Sequence, residues 1–266
     1  MGGVIILTAL VLTSVIYIGR YPNIIPILFV TLGFGLIGFL DDYLKVVLRR
    51  SDGLLAWQKL LLQVVVTGIF TFYILNYTDI SLTMRIPFWS GHYLDLGWLA
   101  VPLLFFAVIG TVNGVNFTDG VDGLASSVTL IVAVFFTVVS IGLKSGIEPF
   151  TCAVVGGLMG FLLYNVYPAK VFMGDTGSLA LGGFVAGCAY MMQMPLFILI
   201  VGLIYLVEVL SVMIQVTYFK ATHGKRIFRM TPIPHPFELG GWSETSVVAV
   251  FSIITAIMCL IGLLAL

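Results

Sequence analysis

The chain has 266 residues, 60% of them hydrophobic and only 9% charged, with twelve Lys or Arg against twelve Asp or Glu. Soluble domains carry about 25% charged residues, so a soluble fold of this size is excluded by its apolar excess. The balanced charge gives no sign of a nucleic-acid partner. Cys152, Cys188 and Cys259 each sit inside an apolar run without metal-ligand spacing, which reads as small core residues.

With lipid as solvent the backbone must satisfy its own hydrogen bonds, so spans are helices or a closed barrel. The apolar runs are about 17–22 residues long, which is helix length. About nine spans are expected, near Gly3–Ile18, Ile24–Leu44, Trp57–Leu75, Leu96–Val112, Leu124–Leu143, Phe150–Val166, Ser178–Met194, Leu196–Tyr218 and Val247–Leu266. The seventh and eighth are almost continuous, divided by Gln193-Met194-Pro195. No internal repeat or linker is visible, so residues 1–266 are expected to form one all-α transmembrane domain. Between the third and fourth spans, apolar and polar residues alternate around Ser90-Gly91, which predicts a short β-hairpin on the outer surface.

The loops differ in charge. Lys45, Arg49, Arg50, Lys59, Lys170, Lys220, Lys225, Arg226 and Arg229 follow even-numbered spans, and only Arg20, Arg85 and Lys144 follow odd-numbered ones. The positive-inside rule places the first set in the cytoplasm.

Polar residues gather on that same face. The second span ends Gly38-Phe-Leu-Asp41-Asp42-Tyr-Leu-Lys45, and adjacent carboxylates at a membrane edge require solvent, a cation or a partner. Lys45 at i+4 or i+3 is one such partner. The loop expected after the fourth span reads Asn113-Gly-Val-Asn116-Phe-Thr118-Asp119-Gly120-Val-Asp122-Gly123. A single helix cap needs one such residue. Four amides and acids among glycines point to a site, with hard oxygen ligands in Asn116, Asp119 and Asp122. After the sixth span, Asn165-Val-Tyr-Pro168-Ala-Lys170-Val-Phe172-Met precedes Gly174-Asp175-Thr176-Gly177-Ser178. The latter opens a helix whose N–H groups suit an anion, and Asp175 suits Mg²⁺. The alternative is an N-cap by Asp175 or Ser178. The last inner loop carries four cations and then Pro234-His235-Pro236, which holds His235 in extended backbone. Carboxylates, amides, a Gly-Asp-Thr-Gly helix start and basic residues on one face suit metal-bound phosphates, with a membrane lipid as the second substrate. Glu208, the one acid clearly within a span, is expected to be structural.

At these motifs the sequence resembles the polyprenyl-phosphate sugar-1-phosphate transferases, and most closely the branch using a muramoyl-pentapeptide donor. Gly35 to Lys45, Asn116 to Ala125, Asn165 to Gly183 and Lys225 to Glu244 carry the resemblance. It implies transfer of phospho-N-acetylmuramoyl-pentapeptide from UDP-N-acetylmuramoyl-pentapeptide to undecaprenyl phosphate. The products are lipid I, for peptidoglycan synthesis, and UMP. It also implies Mg²⁺ as cofactor, a bacterial plasma-membrane location with the active site on the cytoplasmic face, and a homodimer in many members. In that scheme Asp175 and Asn116 serve the metal, and Asp41 and Asp42 engage the lipid phosphate. The attack is direct or passes through a covalent intermediate. Lys45 and Lys59 contact phosphate or nucleotide, and Phe172 stacks on uracil. Asn165, Asp119, Asp122 and Gln215 line the pocket, and His235 belongs to the substrate-binding inner loop with a catalytic role.

Two departures stand out. The family usually has three consecutive histidines where this chain has Pro234-His235-Pro236, and Met1-Gly2-Gly3 resembles an interior segment of the family, as if an N-terminal helix were absent. They keep two alternatives open, a transferase for another UDP-N-acetylhexosamine and an inactive homologue; a membrane transporter is the alternative from a different class.

Overall fold

The computed structural model describes every residue except Arg50, Ser51, Arg229, His235, Pro236, Glu238 and Leu239. The chain forms α1 (Gly3–Tyr17), α2 (Ile24–Val46), α3 (Ala56–Tyr77), the strands β1 (Met84–Arg85) and β2 (Tyr93–Leu94), α4 (Ala100–Thr118), α5 (Leu124–Leu143) and α6 (Glu148–Asn165). Then come α7 (Gly174–Met191), the single-turn α8 (Ile198–Val201), α9 (Leu203–Ala221) and α10 (Glu244–Leu264). The protein is an all-α polytopic membrane bundle. Among the described residues, six helices, α2, α3, α4, α5, α9 and α10, are long and apolar enough to cross a bilayer. Of the other three expected spans, α1 is apolar but only 15 residues long, and α6 and α7 dilute their apolar runs with Glu148, Asp175 and several glycines.

Two expected boundaries move. The eighth span is not one helix: a 3₁₀ turn at Pro195–Phe197 and α8 precede a break at Gly202. Pro195 has no N–H to continue the preceding helix, so a new turn begins there. The fourth span does not end at Val112. It continues to Thr118, which moves Asn113 and Asn116 from the expected loop onto a helix. Near a membrane a further helical turn satisfies backbone groups that a loop would leave open.

At the centre lies α7, buried at every position from Thr176 to Met191. It packs against α2, α4, α1 and α5. Its small residues permit that crowding, as in membrane helices generally: a Cβ at Gly182 would collide with the Val112 backbone of α4. The expected hairpin is present, with Met84 opposite Leu94 and Arg85 opposite Tyr93. It covers one end of the bundle. The Arg85 N–H donates to the Gln193 carbonyl (2.7 Å) after α7, and the Phe88 N–H to the Ala265 carbonyl (2.8 Å) after α10. The motif-bearing ends of α2, α4 and α6 lie at the opposite end, where α7 begins.

Candidate active site

The site starts from the crossing of α2 and α7. A Cβ at Gly38 would strike the Asp175 carbonyl, so α7 can begin there only because position 38 has no side chain. One turn further along α2 come Asp41 (2% exposed) and Asp42 (8% exposed).

These neighbours part company. Asp42 reaches α7: its Oδ1 accepts the Asp175 N–H (3.2 Å), and its Oδ2 accepts the Thr176 N–H (3.0 Å) and Oγ1–H (2.6 Å). The open N–H groups of the Gly-Asp-Thr-Gly helix start do hold an anion, and it is the protein's own carboxylate. Neither Asp175 nor Ser178 is the N-cap of α7, and the turn before it supplies no side-chain cap. Asp41 instead accepts the Lys45 ammonium at Oδ2 and the Leu54 N–H at Oδ1 (2.6 Å).

Asp175 is the hub. Its Oδ2 accepts the Lys59 ammonium (2.8 Å) and lies 3.5 Å from the Lys45 ammonium, so Lys45 spans Asp41 and Asp175. Its Oδ1 accepts the Asn116 amide (3.0 Å), which also donates to Ser178 Oγ (2.8 Å). One turn from these residues, on α3 and α4, Gln63 and Asn113 exchange amide hydrogen bonds at 3.3 and 2.9 Å.

Asp119 ends α4. Burial pushes its carboxyl well above the usual carboxylate range, and the charges of Asp175, Asp42 and Asp122 push the same way. Asp122 and Asn165 serve neighbouring backbone in the structure. Asp122 Oδ2 accepts the Ala169 N–H (2.9 Å). Asn165 donates to the Val171 carbonyl (2.9 Å) and accepts the Ser126 hydroxyl (2.6 Å). Together they brace the segment that presents Phe172, a residue 62% exposed. Gln215 is likewise occupied by backbone, at Ile227 and Phe228. His235 lies outside the described residues.

The structure thus brings Asp41, Asp42, Lys45, Lys59, Asn116 and Asp175 into one hydrogen-bonded cluster. No three His, Cys, Asp or Glu side chains converge on a metal position among the described residues. The residues that could hold a hard cation are Asp175 and Asn116: both Asp175 oxygens now accept, from Lys59 and from the Asn116 amide, so a cation there would replace those donors and draw in the Asn116 oxygen. Mg²⁺ takes few protein ligands and completes its shell with water and phosphate, so two oxygens suffice. Sequence reasoning missed Thr176, which shares Asp42 with the helix start, and the Leu54 N–H. The first was visible as the residue after Asp175; backbone donors leave no mark in a sequence.

Residues 24–193 match the profile of glycosyl transferase family 4, and this stretch holds the whole cluster. The chain belongs to that family. A phospho-N-acetylmuramoyl-pentapeptide-transferase of Acetivibrio thermocellus is 52% identical over 269 residues, covering 100% of this chain and 81% of the relative. Proteins of the same name from Carboxydothermus hydrogenoformans and Clostridium botulinum are 52% and 51% identical, covering 98% and 100% of this chain and 82% of each relative. Within glycosyl transferase family 4, then, this chain carries its charged cluster on the parts of α2, α3, α4 and α7 that define the membership.

Proposed function

We propose that this glycosyl transferase family 4 chain moves phospho-N-acetylmuramoyl-pentapeptide from a UDP-linked donor to undecaprenyl phosphate, releasing UMP and leaving lipid I in the membrane. The observation that carries the reading is Asp175, held between two lysines and an asparagine at the edge of a membrane bundle half identical to transferases of that name.

Phosphoryl transfer needs alignment and charge neutralisation more than covalent help. An oxygen of the lipid phosphate attacks the sugar-linked phosphorus, the bond from that phosphorus to the bridging oxygen breaks, and UMP leaves with the electron pair. Lys45 and Lys59 bring cations to the diphosphate, and Asp41 takes the proton of a singly protonated lipid phosphate. Both Asp42 oxygens are engaged by α7, so a nucleophilic role would uncap that helix, which favours direct attack. Asp175 and Asn116 would hold Mg²⁺, which would supply charge neutralisation at the leaving diphosphate. The exposed Phe172 ring stacks on uracil, and Asp119, pushed toward its acid form, donates to a nucleobase carbonyl. A soluble donor and the cations that follow even-numbered spans support a reading of this chemistry at the cytoplasmic face of the plasma membrane.

The test is radiolabel transfer by detergent-purified protein given undecaprenyl phosphate, Mg²⁺ and UDP-N-acetylmuramoyl-pentapeptide, with UDP-N-acetylglucosamine in parallel. Label entering lipid from the muramoyl donor alone supports the reading. Label from the other donor alone, or from neither, overturns it.

A further inference from the structure

One buried polar stripe stands outside the cluster. Glu208, Ser211 and Gln215 lie on α9 and are 0%, 2% and 8% exposed. Positions 208 and 215 are two turns apart, hence on one face of the helix. An acid and an amide inside a membrane helix persist only with partners or a function. Their partners are not another helix. Glu208 Oε2 accepts the Ile233 N–H (2.9 Å) from the loop after α9. Gln215 Oε1 accepts the N–H groups of Ile227 (3.1 Å) and Phe228 (3.0 Å), and its Nε2 donates to the Phe228 carbonyl (3.3 Å). Both ends of the 227–233 segment are therefore bound, through backbone, to a buried face of α9.

The depth of this attachment matters. α4 and α9 both run from the hairpin end toward the site end, and they touch where the Tyr205 carbonyl would meet a Cβ at Gly114. Glu208 is three residues past Tyr205, which puts it level with Phe117, next to Asn116. The loop returns to the level of the charged cluster instead of trailing into water.

We infer that Glu208 and Gln215 are positioning residues that fix the loop at Ile227, Phe228 and Ile233, and with it the flanking Lys225 and Arg226, for the donor. The inference rests on the proposed transferase reading for its kinetic consequence, but the attachment itself does not. A loop already ordered spares the donor the entropy of ordering it, so the pins lower KM for the donor and leave the chemical step alone. Glu208 accepts through oxygen alone, so Glu208→Gln keeps the Ile233 bond, whereas Glu208→Met fills the space and loses it.

The experiment uses the full chain in detergent, with hydrogen–deuterium exchange across residues 225–234 and steady-state transfer on the same preparations. Glu208→Met and Gln215→Ala each speed exchange at the pinned amides and raise donor KM by about tenfold, the scale of a lost hydrogen bond, with kcat within about threefold. Peptides of α4 and α7 exchange as before, and Glu208→Gln restores both readouts. Unchanged exchange in both variants overturns the inference, as does a fall in kcat with KM unmoved. Should Glu208→Met fail to fold, Gln215→Ala decides alone. If the unaltered chain shows protected amides but transfers nothing, the proposed function fails while the pins stand.

Discussion

The two ends of the bundle are held by different physics. At the site end charge is set against charge: Lys59 and Lys45 on Asp175, Lys45 on Asp41, and Asp42 on the start of α7. At the hairpin end most of the bonds join neutral groups, and the cation among them, Arg85, meets a backbone oxygen. Gln193 donates to the Ser81 carbonyl (3.2 Å) and to the hydroxyls of Ser81 (2.6 Å) and Thr83 (2.8 Å), and the Arg85 guanidinium meets the Leu266 carbonyl (2.6 Å). Charged groups near hydrocarbon are costly unless paired, so a cluster of them marks a place where charge is needed. Neutral hydrogen bonds join elements cheaply and answer to shape alone. The difference separates a working end from a joining end.

The comparison breaks first at its hub. Asp175→Asn leaves two lysines facing a neutral amide and takes the negative charge from one of the two proposed metal ligands. Transfer is expected to fall by about 10³-fold or more, the scale of lost transition-state charge stabilisation, while the thermal unfolding midpoint in detergent stays near its original value. Normal turnover in that variant would free Asp175 of its role.

Next is the cap. Asp42→Ala strands two N–H groups and a hydroxyl at the buried start of α7, which is expected to cost about 2–3 kcal/mol. Denaturant unfolding measures it; an unchanged midpoint means α7 does not depend on Asp42.

A smaller effect is a dependence on pH. The Asp119 carboxyl is raised in the folded protein, so folding favours its protonated form. That contribution to stability is complete below the ordinary carboxylate value and is lost as pH rises from there through the raised value. Asp119→Asn should flatten this slope and leave the protein more stable at neutral pH than the parent. Parallel pH–stability curves for the two would refute it.

The smallest effect belongs to the hairpin end. Gln193→Ala removes three partly exposed neutral bonds, with an expected loss of about 1 kcal/mol or less and transfer within about twofold of the parent. A large loss of transfer would show that the two ends are coupled.

Much of this was legible beforehand. The Leu124–Leu143 helix and the hairpin about Ser90-Gly91 follow from apolar length and from alternation, both properties of short stretches. The collection of Asp41, Asn116 and Asp175 at one end follows from counting spans. The course of α4 through Asn113 and Asn116 did not read that way, because amides and a glycine resemble a loop locally and only the membrane's demand for paired backbone keeps them helical. Gln215, which the resemblance assigns to the nucleotide pocket, also has partners that no sequence shows: its amide is bound to Ile227 and Phe228.

What the sequence alone determined is the solvent and the end: an apolar chain that must be helical in lipid, with its acids and lysines at one edge. What only the tertiary structure decided is the division of labour inside that edge. Asp41 and Asp42 are neighbours with one side chain type, yet they point roughly 100° apart around α2. Contact of α2 with α7 at Gly38 turns Asp42 into a helix cap and leaves Asp41 to Lys45 and Leu54. Spacing along a chain sets direction, but a partner is set by what packs against it.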